Sequence, residues 1–596
     1  MSSLLESAQR GRLSQEARKN LEKWLTDPLL VEFVPAIEQL LKAGQWPEIE
    51  DAFYTHITVG TGGVRGPLGV GPNRVNGRTI GEAAQGLSEF IKDFGAEAMD
   101  KGVVVGYEVR RQAREFAELS AEVFAANGIK VFLFDHLCAT PEVSFAVRYL
   151  KTTAGVMITA SHNPRTDNGF KFYWSDGGQV VPPHDAKFMD LVNQVTVVHR
   201  LNLLKAKRSG LIKTVESSVD EAYRQAIRVL ALAKSRSAKI VFSPLHGAGS
   251  TNVLPVLQAE KFNVVVVPEQ AALDENFPTA PSDLINPEYP QVMEMAIDCG
   301  TRSDADVVLV SDPDADRVGV ASKITAGQRA MRQLTGDEVG ATLVHFILSE
   351  LKAQGRLPLN GLVIETYVTT SLIADIARSF GAAAIDDLLV GFKFIAEIIE
   401  KLDNKKDFIF AAEQSLGYLV GTFVRDKDAA IASLMVAELV AKLKDEGRTA
   451  IEYLDDIYCE YGYYHNSLKN VEFKGRAGRE SMAVIMKGLR FSPPKTLGGH
   501  RVVKIIDRLK PELRDPVIYQ IGKTGDQLTF VLSEDERTRV TVRPSGTEPT
   551  IKYYVQHYRL ADSDDLSRVK SAVDTEAQSM TKDIVSAGAE FIKNSV

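Results

Sequence analysis

At 596 residues the chain exceeds what one hydrophobic core can serve, so about three to five domains are expected. Its 44% hydrophobic and 25% charged residues describe an ordinary globular protein and exclude disordered and fibrous classes, while a net charge of -8 argues against nucleic acid as a general partner. Three cysteines, Cys138, Cys299 and Cys459, are odd in number and far apart, which excludes a disulfide framework and a zinc cluster and points to a reducing compartment.

The opening MSSLLESAQRGR carries charge early and lacks an apolar h-region, and no later run is long and apolar enough to span a bilayer. A cytoplasmic protein with no membrane partner is expected. Residues 12 to 55 have helical spacing, with Leu21, Trp24 and Leu25 followed by Val34, Ile37, Leu40 and Leu41, and predict a helical lead-in. Gly60, Thr61, Gly62, Gly63, Val64, Arg65 and Gly66 then form a permissive loop able to bring amides and one guanidinium to an anion. It is not a dinucleotide fingerprint, because Arg65 takes the place of the third glycine, and a plain turn is the competing reading.

Val103 to Tyr107 is an apolar run ending in Glu108, Arg110 and Arg111; a helical stretch and the strand VFLFD at 131 to 135 follow, in βαβ order. The next apolar run, Val156 to Ile158, reads as a strand buried on both faces. It delivers Thr159, Ala160 and Ser161 to its carboxyl end, where open α/β sheets bind ligands, and His162, Asn163 and Pro164 follow; a Ser- and Asn-rich turn that merely ends the strand is the plain alternative.

A second unit, about 205 to 325, has strands at KIVFS, NVVVV and DVVLVS, the last running into Asp312, Pro313, Asp314, Ala315, Asp316 and Arg317. Three carboxylates at alternate positions after a buried strand repel one another and make a hard oxygen site of the kind Mg²⁺ takes. An EF-hand is ruled out because Arg317 and Lys323 stand where Gly and Glu are needed, which leaves a solvated acidic turn as the plain alternative. A third unit, about 326 to 465, opens at a helix start, Thr335 to Glu338, and contains Lys393, the strand DFIFAA with Glu413, Gln414 and Ser415 after it, and the charged run RDKDA at 425 to 429. Taken alone, Lys393 reads as a surface lysine and RDKDA as a solvated turn.

The last segment, 466 to 596, carries strands at VVKIID and TFVLS and then RVTVRPSGTEPTIKYYV at 539 to 555. Arg543, Ser545, Gly546, Thr547 and Lys552 offer a guanidinium, hydroxyls, amides and an ammonium, the requirements of a phosphate dianion; an ordinary hairpin turn is the alternative. Gly522, Lys523 and Thr524 do not complete a nucleotide-binding loop, since Val517 stands where its first glycine is needed.

TASHNP around Ser161, DPDADR, the Glu413-x-Ser415 loop and RPSGTEP, in this order and over almost the whole chain, resemble the α-D-phosphohexomutase superfamily. EQSLGY, RDKDA and the helical lead-in resemble its branch of bacterial phosphoglucomutases and phosphopentomutases. The resemblance implies an α/β fold, three successive α/β domains with mixed sheets plus a smaller α+β C-terminal domain around a central cleft, divided here as 1–204, 205–325, 326–465 and 466–596. It implies Ser161 as phosphoserine; Asp312, Asp314 and Asp316, with Ser161, as Mg²⁺ ligands; and Arg65, His162 and Lys171 near the reacting hydroxyl. Glu413 and Ser415 would read the sugar, with Arg317, Lys393, Lys427, Arg543, Ser545, Gly546, Thr547 and Lys552 on the substrate's other groups.

The implied activity is interconversion of glucose 1-phosphate and glucose 6-phosphate, with glucose 1,6-bisphosphate as intermediate and activator. A phosphomannomutase, a phosphopentomutase or a glucose 1,6-bisphosphate synthase shares the same motifs. Outside this class, a silent sugar-phosphate binding protein need not keep both Ser161 and the aspartates, and a serine hydrolase would need glycines where Thr159 and Asn163 stand. Glu108, where Asp is more usual, and Ala412, where Gly is common, depart from the family pattern.

Overall fold

The computed structural model describes residues 12–57, 63–182, 184–473, 475–510, 525–545 and 550–593. Gly60, Thr61, Gly62, Gly522, Lys523, Thr524, Gly546 and Thr547 lie outside the described residues. The expected lead-in forms as helices Gln15–Thr26, Val34–Lys42 and Trp46–Phe53. Ser14 caps the first by accepting from the Ala17 amide, and Leu21, Trp24, Ile37, Ile49 and Phe53 close a small core of their own.

The first sheet contains β1 (Val64–Pro67), β2 (Val103–Tyr107), β3 (Val131–Leu133), β4 (Ala154–Ile158), β5 (Asp167–Trp174) and β6 (Ile212–Thr214), in the order β1-β5-β4-β2-β3-β6. Every residue of β2 and β4 is buried, which explains their unbroken apolar runs: they are parallel strands covered by helices such as Ala113–Ala126 and Thr140–Leu150. The second sheet is built from β7 (Lys239–Ser243), β8 (Asn263–Val266), β9 (Val307–Ser311), β10 (Val318–Lys323) and β11 (Met331–Leu334), ordered β11-β10-β9-β7-β8. The third contains β12 (Leu362–Thr366), β13 (Ala383–Leu388), β14 (Phe408–Glu413) and β15 (Gly417–Val420), ordered β13-β12-β14-β15.

These three sheets are mixed in the same way. In each, a buried strand that runs parallel to one neighbour turns back into an antiparallel one: β4 into β5, β9 into β10, β14 into β15. Ser161, the three aspartates and Glu413 with Ser415 sit at those three turns. The largest core runs continuously through all three sheets, and helix Ala429–Asp445 is buried along nearly its whole length within it.

The last unit has β16 (Tyr463–Glu472), a small hairpin of β17 (Thr496–Leu497) and β18 (His500–Arg501), β19 (Lys504–Asp507), β20 (Leu528–Val531), β21 (Arg539–Pro544) and β22 (Thr550–Arg559). Its five-stranded sheet, β16-β22-β21-β20-β19, is antiparallel throughout and packs against helices Gly475–Phe491 and Leu566–Lys593, an α+β layer with a separate core. Sheet membership departs from the expected divisions. β6 belongs to the first sheet although it follows residue 204, β11 completes the second sheet beyond 325, and β16 begins the fourth before 466. Both β6 and β11 are short edge strands, mostly exposed or half-buried, and carry no clear alternation to announce them.

Candidate active site

Ser161 stands just beyond the carboxyl end of β4, buried, with φ of 55°, a left-handed conformation that a non-glycine residue adopts only under constraint. Its amide donates to Thr159 Oγ1 at 2.7 Å, and its hydroxyl lies 3.3 Å from Asp312 Oδ2 and 3.3 Å from His162 Nδ1. Burial, with Arg317, Arg65 and Lys552 adding positive charge nearby, holds His162 far below the usual imidazole range. Arg65 reaches this place on β1, which pairs with β5 at Gly169. The approach is tight: a Cβ on Gly63 would lie 1.8 Å from the Phe170 carbonyl oxygen, and Gly63 has a φ of 115°.

The turn from β9 to β10 presents Asp312, Asp314 and Asp316, all buried, with one carboxylate oxygen of each within 4.8 Å of the others. The amides of Asp316 and Arg317 donate to Asp312 Oδ1 at 3.1 and 3.0 Å and fix the turn. Lys171, on β5 opposite Met157, is fully buried and bonds Asp314 Oδ2 at 2.7 Å and Asp316 Oδ2 at 3.0 Å. Lys427 reaches Asp316 Oδ2 at 3.0 Å, and the Arg317 Nε lies 3.5 Å from Asp316 Oδ1.

Burial, together with the charges of Asp314 and Asp316, drives Asp312 far above the ordinary carboxylate range. Burial alone would raise the other two as well, but Lys171 holds Asp314 down, and Lys171, Lys427 and Arg317 hold Asp316 far down. Oδ1 of Asp314 and Oδ1 of Asp316 are buried without a hydrogen-bond partner. A compact set of hard oxygen donors with two such atoms fits a divalent cation of the Mg²⁺ class.

The third turn is pinned to the second, since the Val318 amide donates to the Leu416 carbonyl at 3.2 Å. Glu413 is buried and accepts from the Gly391 amide at 2.9 Å; burial raises its carboxyl, with Lys427 and Arg317 pulling the other way. Ser415 is half-buried in the same turn. RDKDA is not a solvated turn: Arg425, Asp426, Lys427 and Asp428 are all buried, and Asp426 Oδ2 accepts from Tyr173 Oη at 3.0 Å and Gln179 Nε2 at 2.9 Å. Gly417 makes room for this run, because a Cβ there would lie 2.4 Å from Lys427 Cδ.

Lys393 is likewise buried rather than on the surface, and its Nζ lies 3.5 Å from Asp185 Oδ2. On the fourth sheet Arg543 of β21 pairs directly with Lys552 of β22, as a hairpin requires. Both side chains, and Ser545, are half-buried. Sequence reasoning missed Thr140, which donates to Asp314 Oδ2 at 2.7 Å, and Asp426, whose charge steadies Lys427 at 3.3 Å. Neither stands in a run that signals its role; only the meeting of distant elements supplies it.

Family models match in chain order: phosphoglucomutase/phosphomannomutase alpha/beta/alpha domain I over residues 56–198, domain II over 219–324 and domain III over 335–461. A Schizosaccharomyces pombe protein named probable phosphoribomutase is 33% identical over 91% of this chain and 94% of its own length. The chain belongs to the phosphoglucomutase/phosphomannomutase family. The phosphoglucomutase of Staphylococcus aureus strain MRSA252 is also 33% identical, over 88% of this chain and 94% of that one.

Among solved structures, the open form of parafusin, a phosphoglucomutase from Paramecium, shares the fold of this family member with a TM-score of 0.64 at 17% identity, covering 90% of this chain and 96% of its own. A phosphoglucomutase/phosphomannomutase family protein from Burkholderia thailandensis gives 0.63 at 15% identity, over 90% and 98%. Membership makes the chain an intramolecular phosphotransferase. No helix among the described residues is long and apolar enough to cross a membrane.

Proposed function

We propose that this family member interconverts glucose 1-phosphate and glucose 6-phosphate through a phosphorylated Ser161 and a glucose 1,6-bisphosphate intermediate. The carrying observation is the hydroxyl of Ser161 held 3.3 Å from Asp312 at the meeting of the first two sheets. In the first transfer the bond from phosphorus to Ser161 Oγ breaks as a bond forms to a free hydroxyl oxygen of the sugar monophosphate, and that hydroxyl's proton ends on Ser161 Oγ. In the second, the bond from the other phosphorus to its sugar oxygen breaks as that phosphorus bonds to Ser161 Oγ, and the Ser161 hydroxyl proton passes to the sugar oxygen released.

Phosphoryl transfer asks mainly for positioning and for positive charge around a spread negative one, and Arg65, Lys171 and Arg317 supply it here. Asp312, Asp314 and Asp316, with Ser161 beside them, would hold Mg²⁺, which neutralises charge on phosphoryl oxygens. In this reading the third sheet's turn reads the sugar through Glu413 and Ser415. Lys427, Lys393, Arg543, Ser545, Gly546, Thr547 and Lys552 serve the non-reacting groups. A cytoplasmic setting belongs to the same reading and is supported by three free cysteines.

A second reading, a pentose phosphate substrate, is favoured by the name of the Schizosaccharomyces pombe relative. One experiment separates the two: kcat/KM for glucose, mannose, ribose and glucosamine phosphates, with the intact mass of the protein before and after glucose 1,6-bisphosphate. Glucose phosphates at least about tenfold ahead support the first reading. Ribose phosphate ahead overturns it.

A further inference from the structure

Arg110 has no part in the transfer just described, yet its guanidinium makes four bonds to the loop that carries the serine. Its side chain is fully buried, and its two terminal nitrogens donate to four backbone carbonyls: Ser161 at 2.7 Å, Asn163 at 2.6 Å, Pro164 at 2.7 Å and Asp167 at 2.7 Å. Those carbonyls run from Ser161 through the turn after β4 to Asp167, the first residue of β5. A planar fork of donors can gather several carbonyls at fixed angles, which an ammonium on a flexible stem cannot.

Behind it, Glu108 at the end of β2 lies 2.8 Å from Arg110 Nε and accepts from the Arg110 amide at 3.2 Å. The Thr159 hydroxyl donates to Glu108 at 2.9 Å and accepts from the Ser161 amide at 2.7 Å. Ser161 is thereby gripped from both sides, at its amide through Thr159 and Glu108 and at its carbonyl by Arg110. Such a grip accounts for a serine held with φ at 55°. A loop of the second sheet covers the guanidinium, with the Phe277 ring centroid 5.9 Å away and buried, so the clamp works out of water.

We propose that Arg110, backed by Glu108, is the positioning residue of the serine loop: it sets the backbone so that Ser161 Oγ faces Asp312, and it fixes the rate of phosphoryl transfer without touching the sugar phosphate. The proposal rests on Ser161 being the phosphorylated residue.

The test uses Arg110→Lys and Arg110→Ala in the full chain, reading kcat, KM and the rate at which Ser161 gains phosphate from glucose 1,6-bisphosphate by intact mass. Arg110→Lys should lower kcat about 10²-fold, the cost of a misplacement near 1 Å, with KM changed less than about threefold. Where Arg110→Ala folds, guanidinium ion at non-denaturing concentration should restore part of its kcat while the same concentration of sodium does not. A substitution that merely loosened the fold would raise KM, lower the melting temperature and show no such rescue. If folded Arg110→Lys keeps kcat within about threefold of wild type while Ser161→Ala is inactive, the clamp is refuted and the serine assignment stands; if Ser161→Ala retains full activity, both fall.

Discussion

Around the aspartate turn Asp312, Asp314, Asp316, Lys171 and Lys427 are all buried, whereas on the C-terminal hairpin Arg543 and Lys552 stay half-exposed. The first region is assembled from three sheets sharing one continuous core. The second stands on a sheet with a core of its own, joined to the third sheet by bonds such as Arg539 to the Tyr367 carbonyl at 2.9 Å and Gln556 to the Thr369 carbonyl at 2.8 Å. Under the proposed function the difference would match two tasks. A phosphoryl group changing hands needs charges fixed to fractions of an ångström, while a phosphate that is only held, and must be exchanged for another as the intermediate turns over, tolerates a looser grip.

The sharpest way to break this comparison is at its rigid end. Ser161→Ala removes the oxygen that changes bonds and should lower turnover at least about 10³-fold, with no phosphoryl mass gained from glucose 1,6-bisphosphate. Substrate affinity, which the proposed function assigns to the other end, should stay within about threefold by calorimetry. A fully active Ser161→Ala would end the serine assignment.

Next in size is removal of the divalent ion. Chelation should abolish activity reversibly, and Asp314→Asn should cost about 10²-fold in kcat while weakening Mg²⁺ binding. Asp314 is also held by Lys171 and Thr140, so the folded state should lose some stability, yet less than Mg²⁺ affinity falls; thermal melting without Mg²⁺ checks this. Activity indifferent to chelator would refute the site.

At the looser end, Arg543→Ala or Lys552→Ala should raise KM about tenfold and change kcat less, the signature of binding shared by ground and transition states. A larger fall in kcat than rise in KM would show that the hairpin belongs to the rigid centre and would erase the contrast.

How far the sequence reveals these regions follows from what each is made of. The runs at 103–107, 154–158 and 307–311 are legible because strands buried on both faces must be apolar throughout, and the turns after two of them stand out because Ser161 with His162, and three alternate aspartates, directly follow such strands. RDKDA was not legible: a charged run is normally solvated, and only Tyr173, Gln179 and Asp316, far away in sequence, make this one a buried network. Arg110 gave as little warning, because its partners are backbone carbonyls, which leave no mark on composition. The edge strands β6 and β11 escaped for a third reason, being too short and too exposed to carry a period.

The smallest expected effect lies between the two regions, at Glu413. Its carboxylate is buried, takes one bond from the Gly391 amide at 2.9 Å, and sits in the field of Lys427 and Arg317. If it also accepts from two adjacent sugar hydroxyls, a sugar with one hydroxyl reversed leaves it partly unsatisfied, a mismatch of about 1 to 3 kcal/mol. Glu413→Gln keeps the shape but replaces one acceptor oxygen by a donor, so the preference for glucose over mannose or ribose phosphates should shrink by more than about twofold in kcat/KM, even where each rate falls. Ala412, which precedes it in β14, pairs with Tyr418 and is fully buried, so the strand fixes the height at which Glu413 leaves the sheet. A ratio changed by less than about twofold would leave Glu413 as a partner of Lys427 and Arg317 alone, and the reading of the sugar would pass to Ser415 and the half-buried hairpin.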